Sequence, residues 1–108
     1  MTIKKLIKEY QKAWNEHNLE KLAKLFDSKI RLKDWDINIK GKKKVLRANK
    51  KIFESVKNIR CVAKQTIISK NKAACEVDVI VNKKKINVVD IIKFNSKKKI
   101  VDIKAFKI

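Results

Sequence analysis

The second half of the chain places the strongest restriction on the fold. Between residues 59 and 107, four runs rich in Ile, Val and Phe alternate apolar and polar side chains, as half-buried β-strands do. They span residues 59–69, 73–81, 85–94 and 99–107. Short Lys-Asn-Lys, Asn-Lys-Lys and Asn-Ser-Lys segments, typical of turns, separate them. The pattern predicts an antiparallel meander of four strands.

The first half of the chain is mostly helical in pattern. Apolar residues recur at helical spacing over residues 3–17, again from Asn18, a suitable N-cap, to Phe26, and again over residues 42–56. Residues 30–39 alternate like a strand, and Gly41 follows them. Helices followed by a meander predict an α+β domain. We expect a cone-shaped fold, in which three helices pack against a curved, mostly antiparallel sheet and an apolar cavity lies between the first helix and that sheet.

The composition fits one domain that spans residues 1–108. The chain has no proline and one glycine, so no flexible linker divides it. The first ten residues, MTIKKLIKEY, lack the apolar run of a signal peptide, and no stretch approaches the roughly 18 apolar residues that span a bilayer. We therefore expect a cytoplasmic protein without membrane contact.

The net charge of +19 suggests a partner such as nucleic acid or an acidic protein. Only three of the 30 basic residues are arginine, however, whereas base reading and bidentate phosphate contacts favour arginine. The triplets Lys83–Lys85 and Lys97–Lys99 lie at opposite ends of a predicted strand and do not form one patch. We expect no dedicated nucleic-acid site, and a basic protein that binds nucleic acid or acidic partners is retained as an alternative.

The segment INVVDIIKF carries a carboxylate on an otherwise apolar face. Counting by twos puts Asp90 on the same strand face as four large apolar residues: Ile86, Val88, Ile92 and Phe94. A buried, unpaired carboxylate costs several kcal/mol or takes up a proton. Asp90 is therefore a candidate site residue, and its alternative is a structural role, for example paired with a lysine at the cavity mouth.

Two other polar residues share inward-facing positions. Tyr10 lies on the apolar face of the first predicted helix, and Asp34 shares the alternation of Ile30 and Leu32. One phenol and two carboxyls on three different elements then point towards the cavity. This combination is the clearest chemical signal in the chain, although a plain core tyrosine and an ordinary strand-end carboxylate explain Tyr10 and Asp34 equally well.

The cysteines and the histidine do not predict a metal or redox site. If the chain turns at residues 70–72, Cys61 lies opposite Val81 and Cys75 opposite Ile67, too far offset for a disulfide. His17, the single histidine, ends the first predicted helix, where it complements the helix dipole. No zinc ligand set, Gly-rich phosphate loop or nucleophile elbow is readable, and we predict no cofactor and no metal.

Two longer segments resemble a known family. EYQKAWNEHNLEKLAKLFDSKIRLKDW and VVDIIKFNSKKKIVDIKAFK resemble the opening and the final hairpin of SnoaL-like and ketosteroid isomerase-like proteins, in the nuclear transport factor 2-like superfamily. The resemblance implies a cofactor-free enzyme in which Asp34 is the general base, Tyr10 the oxyanion phenol and Asp90 a protonated second donor. It also implies a homodimer. Asp36 shares the alternation of Asp34, so either carboxyl fits the role of the base.

The same pattern predicts the walls of the cavity and leaves the function with three alternatives. Asn49 falls near the place of a supporting tyrosine in the isomerases. The residues predicted to line the cavity are Trp14, Trp35, Asp36, Asn49, Phe53, Val88 and Ile92.

The first alternative for the function is an isomerase, cyclase or dehydratase that acts on a small hydrophobic carbonyl compound. The second is a non-catalytic binding domain for a small hydrophobic ligand, and the third is the basic protein described above.

Overall fold

The computed structural model describes all 108 residues, as three helices and six strands. Their order is α1 (Ile3–Asn15), α2 (Leu19–Leu25), β1 (Phe26–Lys33), β2 (Asn38–Lys40), α3 (Lys42–Ser55), β3 (Ile59–Ser69), β4 (Lys72–Val81), β5 (Lys84–Phe94) and β6 (Ile100–Lys107). No helix is both long and apolar enough to cross a membrane.

The six strands form one mixed, open sheet. Strands β3 to β6 form the predicted antiparallel meander, and β6 then pairs in parallel with β1. The spatial order is therefore β2-β1-β6-β5-β4-β3. The predicted α+β class, with three helices on a mostly antiparallel sheet, is confirmed.

The prediction of one strand over residues 30–39 was wrong. Strand β1 ends at Lys33, and the chain turns back as β2, antiparallel to it. In the turn, the Asp34 Oδ1 accepts hydrogen bonds from the backbone N–H groups of Asp36 (2.7 Å) and Ile37 (2.8 Å). An aspartate that accepts from the backbone two residues on favours a turn over a continuing strand. The alternating pattern hid this turn because both short strands alternate.

The predicted register of the cysteines was also wrong. The β3–β4 turn has two residues between the paired Ser69 and Lys72, and the register shifts again between Ala63 and Gln65. Cys61 therefore lies opposite Val79, and Cys75 lies opposite Thr66. The two thiols are free, as expected.

Each helix begins at a residue suited to that position. The Thr2 hydroxyl accepts a hydrogen bond from the Lys5 N–H at the start of α1, and the Asn18 side chain accepts from the Lys21 N–H at the start of α2. Helix α3 begins after Gly41, whose φ of 106° is a conformation that other residues rarely adopt.

The core lies between the helices and the concave face of the sheet. Its fully buried side chains include Ile7, Leu22, Ile30, Val45, Ile92, Phe94 and Ile100. Strand β3 is an edge of this sheet, and the Asn15 side chain covers part of that edge. Its amide donates to the Cys61 carbonyl (2.9 Å) and its oxygen accepts from the Cys61 N–H (2.7 Å). These bonds hold the end of α1 against the sheet.

Candidate functional site

An apolar cavity of ≈ 320 Å³ lies between the helices and the concave side of the sheet. Fourteen of its 19 lining residues are hydrophobic. Tyr10, Asp34 and Asp90, which lie on different elements, all line it. A few polar groups in a mostly apolar concavity are typical of small-molecule sites.

Not all residues predicted for the cavity wall lie on it. Trp14, Trp35, Asp36, Asn49 and Val88 line the cavity. Phe53 and Ile92 do not, and this part of the prediction needs correction. Phe53 is 8% exposed and lies in the core, where its ring centroid is 5.3 Å from Trp14 and 4.3 Å from His17. Ile92 is fully buried, and its strand partner Ala73 is buried as well. A shared alternation predicts which face of the strand a residue lies on, but not whether it lines the cavity or lies in the core.

Asp90 lies in the middle of β5, on the cavity side. Its direct neighbours are Cys75 on β4 and Ala105 on β6, neither of which brings a positive charge. None of the side-chain hydrogen bonds or ion pairs of the protein includes the Asp90 carboxyl. Burial therefore acts alone and raises its pKa from 3.8 to about 6. Asp90 is a carboxyl whose protonation changes close to neutral pH.

The Tyr10 phenol belongs to the same cavity. The ring packs near Phe26, with 6.3 Å between centroids. Burial, and then the negative charge of Asp90, raise the Tyr10 pKa well above its usual value of 10.0. The phenol therefore keeps its proton at neutral pH and can act only as a hydrogen-bond donor or acceptor.

Asp34 and Asp36 lie on the turn at the cavity mouth rather than on a strand. The Oδ1 of Asp34 is occupied by the two turn N–H groups, whereas its Oδ2 makes no hydrogen bond within the protein. Asp36 lines the cavity and is exposed. One carboxylate oxygen of Asp34 is thus free to face a ligand.

Trp35 and Lys107 form a cation–π contact at this mouth. Trp35 is 45% exposed, and the Lys107 Nζ lies 4.5 Å from its ring centroid. Such a contact is worth about 0.5–1 kcal/mol at an exposed site. It restrains the indole, which forms part of the cavity wall.

Asn49 is a buried polar residue on the opposite wall. It is 5% exposed, and its Nδ2 donates to the Val45 carbonyl one helical turn earlier (3.1 Å). Its Oδ1 accepts no hydrogen bond from the protein. Because every fully buried polar side-chain atom of the protein has a hydrogen-bond partner, this unpaired oxygen is not fully buried. The Asn49 Oδ1 is therefore an acceptor available to a ligand.

His17 lies outside the cavity and outside α1. The helix ends at Asn15, two residues before the predicted end, because His17 adopts φ 54°. The His17 Nε2 lies 3.3 Å from the Ile59 carbonyl, and its ring stacks on Phe53. These contacts join the α1–α2 turn to the start of β3.

Sequence reasoning missed one polar residue of the wall, Gln11, and one thiol, Cys61. Gln11 follows Tyr10 directly and lies off the apolar stripe of α1, so no periodicity signals it. Burial, and then the negative charge of Asp90, raise the pKa of the Cys61 thiol to about 12. Burial raises the pKa of the Cys75 thiol to about 11. Such thiols stay protonated and unreactive at neutral pH. The structure contains no group of three or more His, Cys, Asp or Glu side chains arranged to hold a metal.

The architecture is that of nuclear transport factor 2-like proteins. A protein of unknown function from Cytophaga hutchinsonii with this fold is similar over 100% of this chain and 91% of its own, at 16% identity and a TM-score of 0.86. A candidate ketosteroid isomerase from Kribbella flavida is similar over 98% of this chain and 77% of its own, at 17% identity and a TM-score of 0.88. A candidate SnoaL-like polyketide cyclase from Shewanella denitrificans is similar over 98% of this chain and 90% of its own, at 15% identity and a TM-score of 0.88.

The sequence defines the family within this fold. Residues 7–103 match the SnoaL-like domain family, so the chain belongs to that family. No curated protein sequence matches the chain. At identities of 17% or less, the solved structures establish the fold and not an activity.

Proposed function

We propose that the cavity is the active site of a cofactor-free enzyme that moves a proton next to the carbonyl group of a small hydrophobic compound. The observation that carries this proposal is the Asp90 carboxyl, which has no partner in the protein, has a pKa of about 6 and lines the same cavity as the Tyr10 phenol. A group of that pKa at neutral pH exchanges protons readily. The similarity to candidate isomerases and cyclases supports the same chemistry.

The proposed roles follow from the protonation of each group. Tyr10 and protonated Asp90 donate hydrogen bonds to the carbonyl oxygen of the substrate, which becomes negative when the neighbouring carbon loses its proton. Asp34 accepts that proton through its free Oδ2 and returns it to a different carbon. A bound apolar compound displaces water from Asp90, which raises the Asp90 pKa further and favours the donor form.

Proton exchange at the substrate tests these roles without knowledge of the natural substrate. A panel of small apolar ketones is incubated with the protein in D₂O, and loss of the α-proton signal is followed by NMR. We expect Asp34→Asn to abolish the exchange. We expect Asp90→Asn to keep part of it, because an amide still donates, and Asp90→Leu to lose more. Equal losses from Asp34→Asn and Asp90→Asn would contradict this division of roles.

The pH dependence distinguishes the two carboxyls independently. If Asp90 donates, it must be protonated, so the exchange rate falls as pH rises through the Asp90 pKa of the complex, at or above about 6. If Asp90 is instead the base, it must be ionised, and the rate rises over the same range. A rate that rises through about pH 6, together with full loss in Asp90→Asn, would assign the base to Asp90 and refute the role of Asp34.

The second candidate is a domain that binds a small hydrophobic ligand without turnover. The observation that favours it is the hydrogen bonding of Asp34, whose Oδ1 already stabilises the β1–β2 turn. This function predicts retention of an apolar ligand in the cavity, no proton exchange, and unchanged affinity in Asp34→Asn.

We also propose that the protein forms a homodimer through the outer face of the sheet. Phe106 alternates with the cavity residue Ala105, lies next to Val89 on that outer face, and is 53% exposed. Exposed aromatic side chains among apolar neighbours are typical of interfaces.

A further inference from the structure

A second depression lies outside the cavity, at the end of β3 and β4, and has a very different lining. It measures ≈ 640 Å³ and is formed where the α1–α2 turn, the α3–β3 loop and the β4–β5 turn meet. Its charged residues are Lys57, Arg60 and Lys83, and no carboxylate lines it. The apolar cavity shares only Ile59 with it. The function proposed for the cavity therefore leaves this depression unexplained.

A backbone hydrogen bond joins the two segments that carry Lys57 and Lys83. The Asn82 N–H donates to the Asn58 carbonyl (3.2 Å), which extends the β3–β4 pairing by one step beyond Ile59. Lys57 precedes Asn58 in the α3–β3 loop and Lys83 follows Asn82 in the β4–β5 turn, so each segment contributes one cation to the lining of the same depression. Like charges that line one concave site repel each other. An anion held between them would remove that repulsion.

The positive charges of the depression have no partner in the protein. The ion pairs of the structure use Lys64, Lys85 and Lys104, so none neutralises Lys57, Arg60 or Lys83. Because no carboxylate lines the depression, no negative charge in the lining weakens the attraction of these cations for an anion. The net charge of +19 adds a long-range attraction for any anion, but only a concave site adds selectivity.

The lining also supplies hydrogen-bond donors suited to an oxyanion. Arg60 is one of three arginines, and its planar guanidinium can hold two oxygens of one phosphate. The side-chain amides of Asn58 and Asn82 also line the depression and make no hydrogen bond within the protein.

The walls are held by contacts that do not involve these donors. The Asn15 side chain is bonded to the backbone of Cys61, and the His17 ring lies against the Ile59 carbonyl. The backbone around the depression is thus fixed, while its cations and free amides remain available.

We propose that this depression binds a small phosphorylated metabolite through its phosphate group. Two lysines from the adjoining loop and turn, an arginine fork and two free amides match the charge and the several acceptor oxygens of a phosphate ester. Only two isoleucines line the site, which favours a polar body for the ligand. The proposal does not depend on the function of the apolar cavity.

Pyrophosphate is the probe for the test, and a charge-matched variant is its control. Binding is measured by calorimetry in about 0.15 M salt, which screens long-range attraction, and mapped by chemical shifts of the Asn58 and Asn82 side-chain amides. The test variant is Lys57→Gln/Arg60→Gln/Lys83→Gln. The control variant is Lys42→Gln/Lys43→Gln/Lys44→Gln, which loses the same charge at the start of α3, away from the depression.

The proposal expects saturable binding of one pyrophosphate, at least about tenfold weaker in the test variant and less than about threefold weaker in the control. Arg60→Lys alone should weaken binding several-fold, because it keeps the charge but loses the fork. Equal weakening in both triple variants would overturn the proposal and leave only non-specific attraction to a basic protein. Absence of saturable binding up to millimolar pyrophosphate, with the wild-type protein folded, would overturn it as well.

Discussion

The half-buried carboxyl of Asp90, which faces the cavity, makes a quantitative prediction about stability. Its pKa in the folded protein is about 6, against 3.8 for an exposed aspartate, and burial is the cause. At about 1.4 kcal/mol per pKa unit, the ionised Asp90 reduces the free energy of unfolding by about 3 kcal/mol at pH values above its folded-state pKa. Because the folded protein prefers the protonated form, this loss is absent below about pH 3.8, where both states are protonated, develops between about 3.8 and 6, and is complete above about 6.

The substitution Asp90→Asn removes the ionisation and keeps the shape of the side chain. We expect it to raise the free energy of unfolding by up to about 3 kcal/mol at about pH 8, and by roughly half of that at about pH 5. The unsatisfied amide reduces the gain, because a buried amide without partners has its own cost of about 1–3 kcal/mol. The pH dependence of the difference is thus a sharper readout than its absolute size.

Urea unfolding at the two pH values, followed by circular dichroism, measures this difference. The control is Glu9→Gln on the exposed side of α1, which removes a carboxylate with no hydrogen bond or ion pair and should change stability by less than about 0.5 kcal/mol. A direct check is the titration of the Asp90 carboxyl carbon by NMR, with an expected midpoint of about 6. If Asp90→Asn gives the same difference at both pH values, Asp90 is not desolvated, and the argument for the active site loses its main support.

Two further predictions concern the edge and the outer face of the sheet. Asn15→Ala removes both hydrogen bonds to Cys61 and should lower the free energy of unfolding by about 1–2 kcal/mol in urea titrations. The control Lys12→Ala, on an exposed part of the same helix, should change it by less than about 0.5 kcal/mol. Equal effects of the two substitutions would mean that the hydrogen bonds to the β3 edge contribute nothing. Phe106→Glu should convert the proposed dimer to a monomer in light scattering with no loss of folded structure, because it puts a charge into an apolar interface. A wild-type protein that is monomeric at high micromolar concentration would contradict the dimer.

The candidate site was predictable from sequence to the extent that it depends on alternation. Five alternate positions in residues 86–94, with Asp90 among four apolar residues, identify the carboxyl, and the apolar stripe of the first helix identifies Tyr10, because both patterns show which face of an element is apolar. These patterns do not show whether a residue on the inner face lies in the packed core or lines the cavity. Phe53 and Ile92 share the faces of cavity residues, yet they lie in the packed core.

The sequence by itself determined the order of the helices and of the meander strands, the N-cap of α2 and the apolar faces that carry Tyr10 and Asp90, since these depend on local conformation and on the period of apolar side chains. Only the tertiary structure decided what depends on residues far apart in the chain. The parallel pairing of β1 with β6, the shifted register of Cys61 and the contact of Asn58 with Asn82 all arise where hydrogen bonds between distant backbone groups select one pairing among several with the same pattern. A shift of one residue in such a pairing exchanges the faces of a strand, and no local pattern of these residues specifies it.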